Sequence, residues 1–126
     1  MTTPLETIGK ASYALVTTYR KDGRAVPTPV WVVRDGDALA IWTVTAAGKV
    51  KRVRRDGRVL IGPCDVVGRP KGEQVPGTAV LLDSEGTERV RALLKRKYGI
   101  FGYLTLWGSR LRRGAHGTIG IRITLD

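Results

Sequence analysis

The segment Tyr13–Thr43, which reads YALVTTYRKDGRAVPTPVWVVRDGDALAIWT, decides the fold. It contains three runs rich in β-branched and aromatic residues, a composition that is typical of strands. The pairs Asp22-Gly23 and Asp35-Gly36 separate these runs, and Asp-Gly is a strong signal for a tight turn between antiparallel strands. The segment therefore predicts an antiparallel meander. Its three predicted strands are Tyr13–Tyr19, Ala25–Arg34 and Ala38–Thr43.

Two helices are predicted in the rest of the chain. The first is Thr45–Arg55, with Thr45 as its N-cap and with Val50 and Val53 facing the core, because residues three apart share a helix face. The second opens at Asp83, has basic residues in its last turn, and ends before Gly99, as expected at a helix C-terminus.

Three further strands complete the predicted fold. They are Arg58–Cys64, Gly72–Leu82 and Gly117–Leu125. Six strands with short connections and two helices favour a small, mainly β antiparallel barrel whose openings the helices cover.

Length and composition exclude several classes of protein. The chain has 126 residues, of which 42% are hydrophobic and 26% charged, so we expect one folded domain, residues 1–126, and not a disordered segment. A single cysteine (Cys64) and a single histidine (His116) exclude disulfide scaffolds, zinc ribbons and most histidine-ligated metal centres. A nucleophilic pair of these two residues has no evident third partner.

The net charge of +11 predicts an anionic partner. Nucleic acid, an anionic membrane surface and a phosphorylated small molecule all fit this charge. The longest uncharged apolar stretch, Tyr98–Ser109, is too short to span a bilayer. The opening residues MTTPLE lack a secretion-signal pattern. We therefore expect a cytoplasmic protein without a membrane span.

The first predicted helix could bind a phosphate. Lys49 and Arg52 share one of its faces, and Gly48 would allow a ligand to approach the backbone closely. Free backbone N–H groups and the positive end of the helix dipole would add to the attraction. A solvated basic helix is the alternative. The phosphate loop of nucleoside triphosphatases is absent, because Thr43 occupies the position of its first glycine.

Pro27 and Pro29 flank Thr28 in the second predicted strand. Both remove N–H donors from the same side of that strand, so the strand belongs at a sheet edge or an opening. Protection of that edge against aggregation is one interpretation. The other is a gap in the barrel wall, where a flat ligand would meet the backbone of Thr28, Val30 and Trp31.

A second basic region, Arg89–Arg113, has eight Lys and Arg residues and includes Phe101, Tyr103 and Trp107. Basic residues interleaved with aromatic ones are typical of single-stranded nucleic-acid grooves. No RNA-binding signature accompanies them. A dimer contact or a flap over a ligand would explain the aromatic residues equally well.

Three runs carry a resemblance to a known family: LVTTYRKDGRAVPTPVWVVRDGDALAIWT, GKVKRVRRDGRVLIGPCDVVGRP and VPGTAVLLD. They resemble the pyridoxamine 5′-phosphate oxidase-like split-barrel superfamily and, more narrowly, its actinobacterial branch of coenzyme F420-dependent (flavin/deazaflavin) oxidoreductases. The resemblance implies a six-stranded antiparallel split β-barrel of the FMN-binding type. It also implies a homodimer with two cofactor sites at the subunit interface.

The resemblance implies a cofactor site and no catalytic side chain, because the cofactor carries the hydride chemistry. The tricyclic ring would lie along the second strand, Trp42 and Thr43 near the ribityl–phosphate side, and the phosphate at Lys49. Pro63 and Cys64 would approach from the partner subunit. The residues assigned to the cofactor are Thr28, Pro29, Val30, Trp31, Trp42, Thr43, Gly48, Lys49, Lys51, Arg52, Pro63 and Cys64.

The expected reaction is hydride transfer from reduced F420 to a small electron-poor organic substrate. Ala47-Gly48 stands where many FMN-binding relatives have a Ser/Arg-rich approach to the lysine, which weighs against FMN. F420 also carries a phosphodiester and a polyglutamate tail, and the cations of Lys49–Arg55 exceed what one phosphate requires. The alternatives are an FMN-binding or tetrapyrrole- or flavin-sequestering split barrel and, less favoured, a basic nucleic-acid-binding module. We expect no specific nucleic-acid partner.

Overall fold

Seven antiparallel strands form one sheet in the computed structural model, which describes residues 2–113 and 117–126, with side chains as far as residue 99 and from 117 onward. The strands are β1 Tyr13–Tyr19, β2 Ala25–Val30, β3 Val32–Asp35, β4 Ala38–Val44, β5 Arg58–Cys64, β6 Val75–Leu81 and β7 Thr118–Leu125. The helices are α1 Pro4–Lys10, α2 Gly48–Arg55 and α3 Ser84–Arg113. The sheet order is β2-β1-β5-β6-β7-β4-β3.

The barrel is split at Trp31. Strands β2 and β3 follow one another in the chain, yet β2 pairs with β1 at one end of the sheet order and β3 pairs with β4 at the other. The single predicted strand Ala25–Arg34 is therefore wrong, and the structure has seven strands where six were predicted. The physical reason is a change of partner at Trp31: the residues before it pair with β1 at one edge of the sheet, and the residues after it pair with β4 at the other edge.

Both Asp-Gly turns are confirmed, and each forms a hairpin. Gly23 (φ 91°) and Gly36 (φ 63°) lie in the left-handed region that favours glycine. The two hairpins lie at opposite ends of the sheet order, so they do not form one continuous meander. The edge position predicted from Pro27 and Pro29 is also confirmed, since β2 ends the sheet order.

Helix α2 packs its apolar side on the sheet, as predicted, with Val50 and Val53 buried. It begins at Gly48 with Ala47 as N-cap, so the prediction of Thr45 as N-cap is wrong. The Thr45 N–H donates to the Gly117 carbonyl, which holds this residue against the start of β7 and outside the helix.

Helix α1 was missed by the sequence analysis. The Thr3 side chain caps it by accepting from the Glu6 N–H, and Pro4 is its first residue. This pattern of Thr, Pro and Glu is a readable helix start. Ile8 of this helix is 1% exposed and lies in the barrel core.

The strand predicted at Gly72–Leu82 begins three residues late, at Val75. The Lys71 N–H binds the Pro63 carbonyl, and regular pairing starts only where Val75 meets Ile61.

Helix α3 covers the outer face of β3, β4 and β7. Asp83 accepts from the Gly86 N–H at 2.8 Å and so caps the start of the helix. Val90 and Leu94 pack with Val33 and Ala40. The predicted break at Gly99 is confirmed by its φ of 67°. Helical backbone continues beyond this kink. No helix in the described ranges is both long and apolar enough to cross a membrane.

Candidate functional site

Two cations of α2 are bound to hydroxyl groups at one end of the barrel. The Lys49 Nζ donates to the Thr43 Oγ1 of β4 at 3.1 Å, and the Arg52 Nε donates to the Thr18 Oγ1 of β1 at 2.6 Å. Thr43 is 7% and Thr18 1% exposed. Lys49 and Arg52 thus come from the same helix, and hydroxyl oxygen atoms of two different strands hold their cationic groups.

These cations have no acidic partner among the residues that the structure describes. No carboxylate there lies within 4.0 Å of Lys49 or Arg52. Burial, and then the charge of Arg52, lowers the pKa of Lys49. Burial, followed by Arg20 and Arg55, lowers the pKa of Arg52. The positive charges repel one another, so a bound anion would relieve the repulsion.

The start of α2 leaves room for such an anion. A Cβ at position 48 would lie 2.8 Å from the Arg52 Nη1, so glycine allows the guanidinium group to fold back over the first turn. Ala47 makes no side-chain capping bond to that turn, which suits an external acceptor for its N–H groups. Lys51, also predicted here, is exposed on the same helix. The donor set fits a phosphate.

The segment expected to border the cofactor ring, Thr28 to Trp31, lies in the edge strand β2 and in the residue that follows it. Thr28 and Val30 pair with Val16 and Ala14, two core residues, so their side chains are on the inner face, because cross-strand partners share a face. Their backbone N–H and C=O groups point towards β1, because these groups alternate between the two sides of a strand and Pro27 and Pro29 occupy the open side. A proline can stand in a paired strand where its missing N–H would point outward, so Pro29 presents a carbonyl and no donor.

The Trp31 side chain stacks on Tyr98 of α3, with ring centroids 4.4 Å apart and planes 11° from parallel. The Tyr98 hydroxyl donates to the Ser12 carbonyl at 2.7 Å. This stack joins α3 to the split of the barrel. It was not predicted, because Trp31 and Tyr98 are far apart in sequence.

Trp42 is not brought together with Lys49. Neighbouring residues in a strand point to opposite faces, so Trp42 lies on the face away from Thr43, in the cluster under α3. The Arg91 guanidinium carbon lies 5.9 Å from the centre of its ring. The position of Trp42 near the ribityl–phosphate side of the cofactor remains a prediction.

Pro63 and Cys64 lie near the other end of β1 from Thr18. Pro63 pairs with Ala14, four residues or about 13 Å along that strand. Within one chain they are therefore away from the Thr18 hydroxyl that binds Arg52, and their approach from a partner subunit remains a prediction. Cys64 is buried, and burial followed by Asp65 raises the pKa of its thiol. A raised pKa does not favour a nucleophilic thiolate, and His116 lies outside the described residues.

Three cations of the second basic region, Arg89, Arg91 and Lys97, are paired or buried within the chain. Arg89 pairs with Asp35 at 2.9 Å, Arg91 is 4% exposed, and the Lys97 Nζ donates to three backbone carbonyls. Arg89 and Lys97 therefore already have partners within the chain, whereas Arg96 is exposed. Phe101, Tyr103 and Trp107 lie outside the described side chains. No cluster of metal-ligating residues occurs in the part of the chain that the structure describes.

Thr18 and Arg20 were missed by the sequence analysis. Thr18 reads as an ordinary strand residue and Arg20 as a turn residue, and only the packing of α2 against the end of β1 brings them to Arg52. The sequence did indicate Lys49 and Arg52, because their spacing of three residues places both on one face of a helix.

Three solved structures with the same fold are described as an F420 reductase, a FAD-binding protein and a haem storage protein. An F420 reductase is 15% identical, with 100% of this chain and 96% of that chain covered and a TM-score of 0.64. A FAD-binding protein from Mesorhizobium loti is 17% identical, with 99% and 91% covered and a TM-score of 0.64. A haem storage protein from Vibrio cholerae is 13% identical, with 91% and 82% covered and a TM-score of 0.65. At these identities the likeness shows the fold.

The sequence comparison assigns the family. Curated proteins give no significant match. The family profile described as pyridoxamine 5′-phosphate oxidase matches residues 5–122, which is nearly the whole chain and includes every strand as far as most of β7. The mainly β split barrel agrees with this match, and the chain therefore belongs to the pyridoxamine 5′-phosphate oxidase family.

Proposed function

We propose that this protein is a homodimeric oxidoreductase that uses reduced coenzyme F420 to transfer hydride to a small electron-poor organic substrate. The observation that carries the proposal is the pair Lys49 and Arg52. Both cations are held by neutral hydroxyls at the start of α2, and no described carboxylate neutralises them. Family membership and the F420 reductase of the same fold support the cofactor class.

The chain would contact two parts of one cofactor molecule, its phosphate and its ring. Lys49 and Arg52 would donate to its phosphate, with the first-turn N–H groups of α2 adding their dipoles. The edge of β2 would border the ring, with the Pro29 carbonyl accepting from a ring N–H. When bound, F420 supplies the hydride. The protein's part is to position the ring, to exclude water from one of its faces and to hold the phosphate.

Charge favours F420 over FMN. F420 has a phosphodiester and several carboxylates, whereas FMN has one phosphate. Residues 49–55 hold five Lys and Arg residues without an acid, and the mutual repulsion at Arg52 is relieved most by a ligand with several negative charges.

A homodimer is part of the proposal, because the resemblance places the cofactor between subunits. The exposed apolar side chains in the described ranges include Val66 (62% exposed), Val67 (68%) and Val80 (56%). Such side chains suit burial against a second copy. A stable interface should bury more than about 1,000 Å² in total. Light scattering should give twice the chain mass at micromolar concentration, and a monomer would contradict the dimer.

The test of the cofactor is a fluorescence titration of wild type and Lys49→Ala with F420 and with FMN. Removing Lys49 should cost roughly 1.5–3 kcal/mol of binding, the usual value of a charge-assisted hydrogen bond, and so weaken F420 about ten- to a hundredfold. Lys10→Ala, an exposed lysine of α1, is the control and should bind like wild type. Tighter binding of FMN by the wild type, or unchanged binding in Lys49→Ala, would refute the assignment.

The second candidate is a binding protein for a flavin or a tetrapyrrole without redox turnover. It is favoured by the FAD-binding and haem storage proteins that share the fold. The absorbance spectrum of the purified protein, alone and with each cofactor, separates the candidates. A bound flavin or haem that resists exchange for F420 would favour this alternative.

A further inference from the structure

A cavity of about 370 Å³ separates α1 from the segment 71–75 that leads into β6, and we call it the α1 cleft. This volume suits a small organic ligand. The apolar part of its lining consists of Pro4, Ile8, Pro63 and Val75. Pro63 pairs with Ala14 of β1, so the α1 cleft lies towards the other end of that strand from the Thr18 hydroxyl that binds Arg52.

Both walls of the α1 cleft are held in place. Ile8 is 1% exposed and anchors α1 in the barrel core, and the Lys97 ammonium binds two carbonyls at the end of the same helix. On the other wall, the Lys71 N–H donates to the Pro63 carbonyl at 2.9 Å. A Cβ at position 72 would lie 3.0 Å from the Pro63 Cγ, so glycine lets this segment lie close to β5. The cleft is therefore formed before any ligand binds, which lowers the entropy cost of binding.

The apolar lining of the α1 cleft is continuous with the barrel core. Ile8 belongs to the core cluster, and Val75 packs against that cluster. Pro4 and Pro63 add apolar surface of fixed shape. An apolar group of a ligand would leave water on entering this part of the cleft, which favours binding.

Two opposite charges line the same cleft without pairing. Lys71 and Glu73 are both exposed. In the part of the chain that the structure describes, no carboxylate lies within 4.0 Å of the Lys71 ammonium and no cation lies within 4.0 Å of the Glu73 carboxylate. A purely anionic ligand would face Glu73 unfavourably, and a purely cationic one would face Lys71. A ligand that carries both charges complements the cleft best.

We infer that the α1 cleft binds an amino acid with an apolar side chain. The carboxylate of the ligand would meet Lys71, and its ammonium would meet Glu73. Its side chain would contact Ile8 and Val75. This binding site goes beyond the proposed function, and the inference does not depend on which cofactor the chain binds.

The first arm of the test compares three probes that share an aromatic body and differ in charge: L-phenylalanine, 3-phenylpropionate and phenethylamine. Each is titrated into the isotope-labelled full chain and followed by backbone NMR. L-phenylalanine should shift the amides of Thr7, Ile8 and residues 71–75. It should bind about two- to fivefold more tightly than either other probe, the usual effect of one exposed charge contact. Equal binding of the three probes, or unchanged amides at residues 71–75, would overturn the inference.

The second arm removes one charge at a time. Lys71→Gln should bind L-phenylalanine no better than phenethylamine, and Glu73→Gln should bind it no better than 3-phenylpropionate. Lys10→Gln and Glu85→Gln are the matched controls, because both residues are exposed and lie outside the lining of the α1 cleft. The controls should keep the wild-type preference for L-phenylalanine. The same preference in Lys71→Gln or in Glu73→Gln would contradict the assigned contacts.

The third arm fills the cavity. Thr7 is exposed on α1 and lines the α1 cleft, so Thr7→Trp should abolish the binding of L-phenylalanine without disturbing the core. Lys10→Trp, on the same helix but outside the lining, should bind like wild type, and circular dichroism checks that both variants are folded. Binding retained in Thr7→Trp would place the ligand elsewhere and overturn the inference. Since none of these titrations contains F420, such a failure would leave the proposed function standing.

Discussion

The cations at the start of α2 differ from those of α3 in what neutralises them. Arg89 of α3 meets a buried carboxylate at Asp35, and the Lys97 ammonium meets three backbone carbonyls, of Gly9, Ala11 and Val32, at 2.6–3.0 Å. Lys49 and Arg52 of α2 meet one threonine hydroxyl each and repel one another. Charges that are satisfied inside the chain stabilise the fold, whereas charges left without a counter-ion are available to a ligand.

The largest effect on stability is expected from Lys97→Met. The ammonium joins α3 to the end of α1 and the start of β3, and its loss leaves three carbonyls without a donor. Burial lowers the pKa of Lys97 to about 8, while the carbonyls favour the charged form, so the bonds and not the charge alone carry the stabilisation. We expect a loss of about 2–4 kcal/mol in the free energy of unfolding. Urea denaturation checks it, with Lys10→Met as the exposed control. A loss no larger than that of the control would contradict the structural role.

A smaller loss, about 1–3 kcal/mol, is expected from Asp35→Asn. The Asp35 carboxylate is 9% exposed and accepts from Arg89 at 2.9 Å and from Arg122 at 3.2 Å. Asp37→Asn is the matched control, because that carboxylate also pairs with Arg122 but is 94% exposed; it should change stability by less than about 0.5 kcal/mol. Equal effects of the two variants would show that burial of Asp35 has no energetic consequence.

The ion pair of Asp35 and Arg89 makes the stability of the protein depend on pH. The hydrogen bond from Arg89 holds the pKa of Asp35 below its ordinary value of 3.8. The folded protein therefore binds fewer protons than the unfolded chain as the pH falls past that value. The stabilisation is present above about pH 4 and is lost as the pH falls through the folded pKa. The difference between wild type and Asp35→Asn in urea denaturation should shrink from pH 7 to pH 3, and a constant difference would contradict this cause.

The smallest effect on stability is expected from Lys49→Met, although it is the same substitution as at Lys97. Burial and Arg52 already disfavour the charged Lys49, as its lowered pKa shows. Lys49 is half-buried and has no carboxylate partner among the described residues, so an apolar side chain removes the repulsion from Arg52 and loses one hydrogen bond to Thr43. We expect a change between zero and a gain of about 1 kcal/mol. A loss as large as that of Lys97→Met would place Lys49 with the structural cations.

The sequence predicted those parts of the fold that local chemistry decides. Asp22-Gly23 and Asp35-Gly36 gave the two hairpins, Val50 and Val53 gave the buried side of α2, and Gly99 gave the break in α3. Thr3 and Glu6 carried a helix signal that the analysis missed. The split at Trp31 could not be predicted, because it depends on which distant strands β2 and β3 pair with.

In the candidate site, the sequence predicted the two cations of α2 but not the hydroxyl groups that bind them. The spacing of Lys49 and Arg52 placed both cations on one side of α2. Their hydroxyl partners, Thr18 and Thr43, come from two strands that are brought to α2 by the barrel, and no local pattern marks them. The face of Trp42 is decided by strand register, which the sequence does not state.

The most direct test of the central claim is the thermal stability of wild type and Lys49→Met with and without F420. At about a hundredfold excess over the wild-type dissociation constant, F420 should add about 2.7 kcal/mol to the stability of wild type. At the same concentration, the ten- to hundredfold weaker binding of Lys49→Met would add only about 0.4–1.4 kcal/mol. We expect the variant to be at least as stable as wild type when free and to gain less stability from F420. Equal gains in the two proteins would contradict the claim that Lys49 and Arg52 form the anion site of the cofactor.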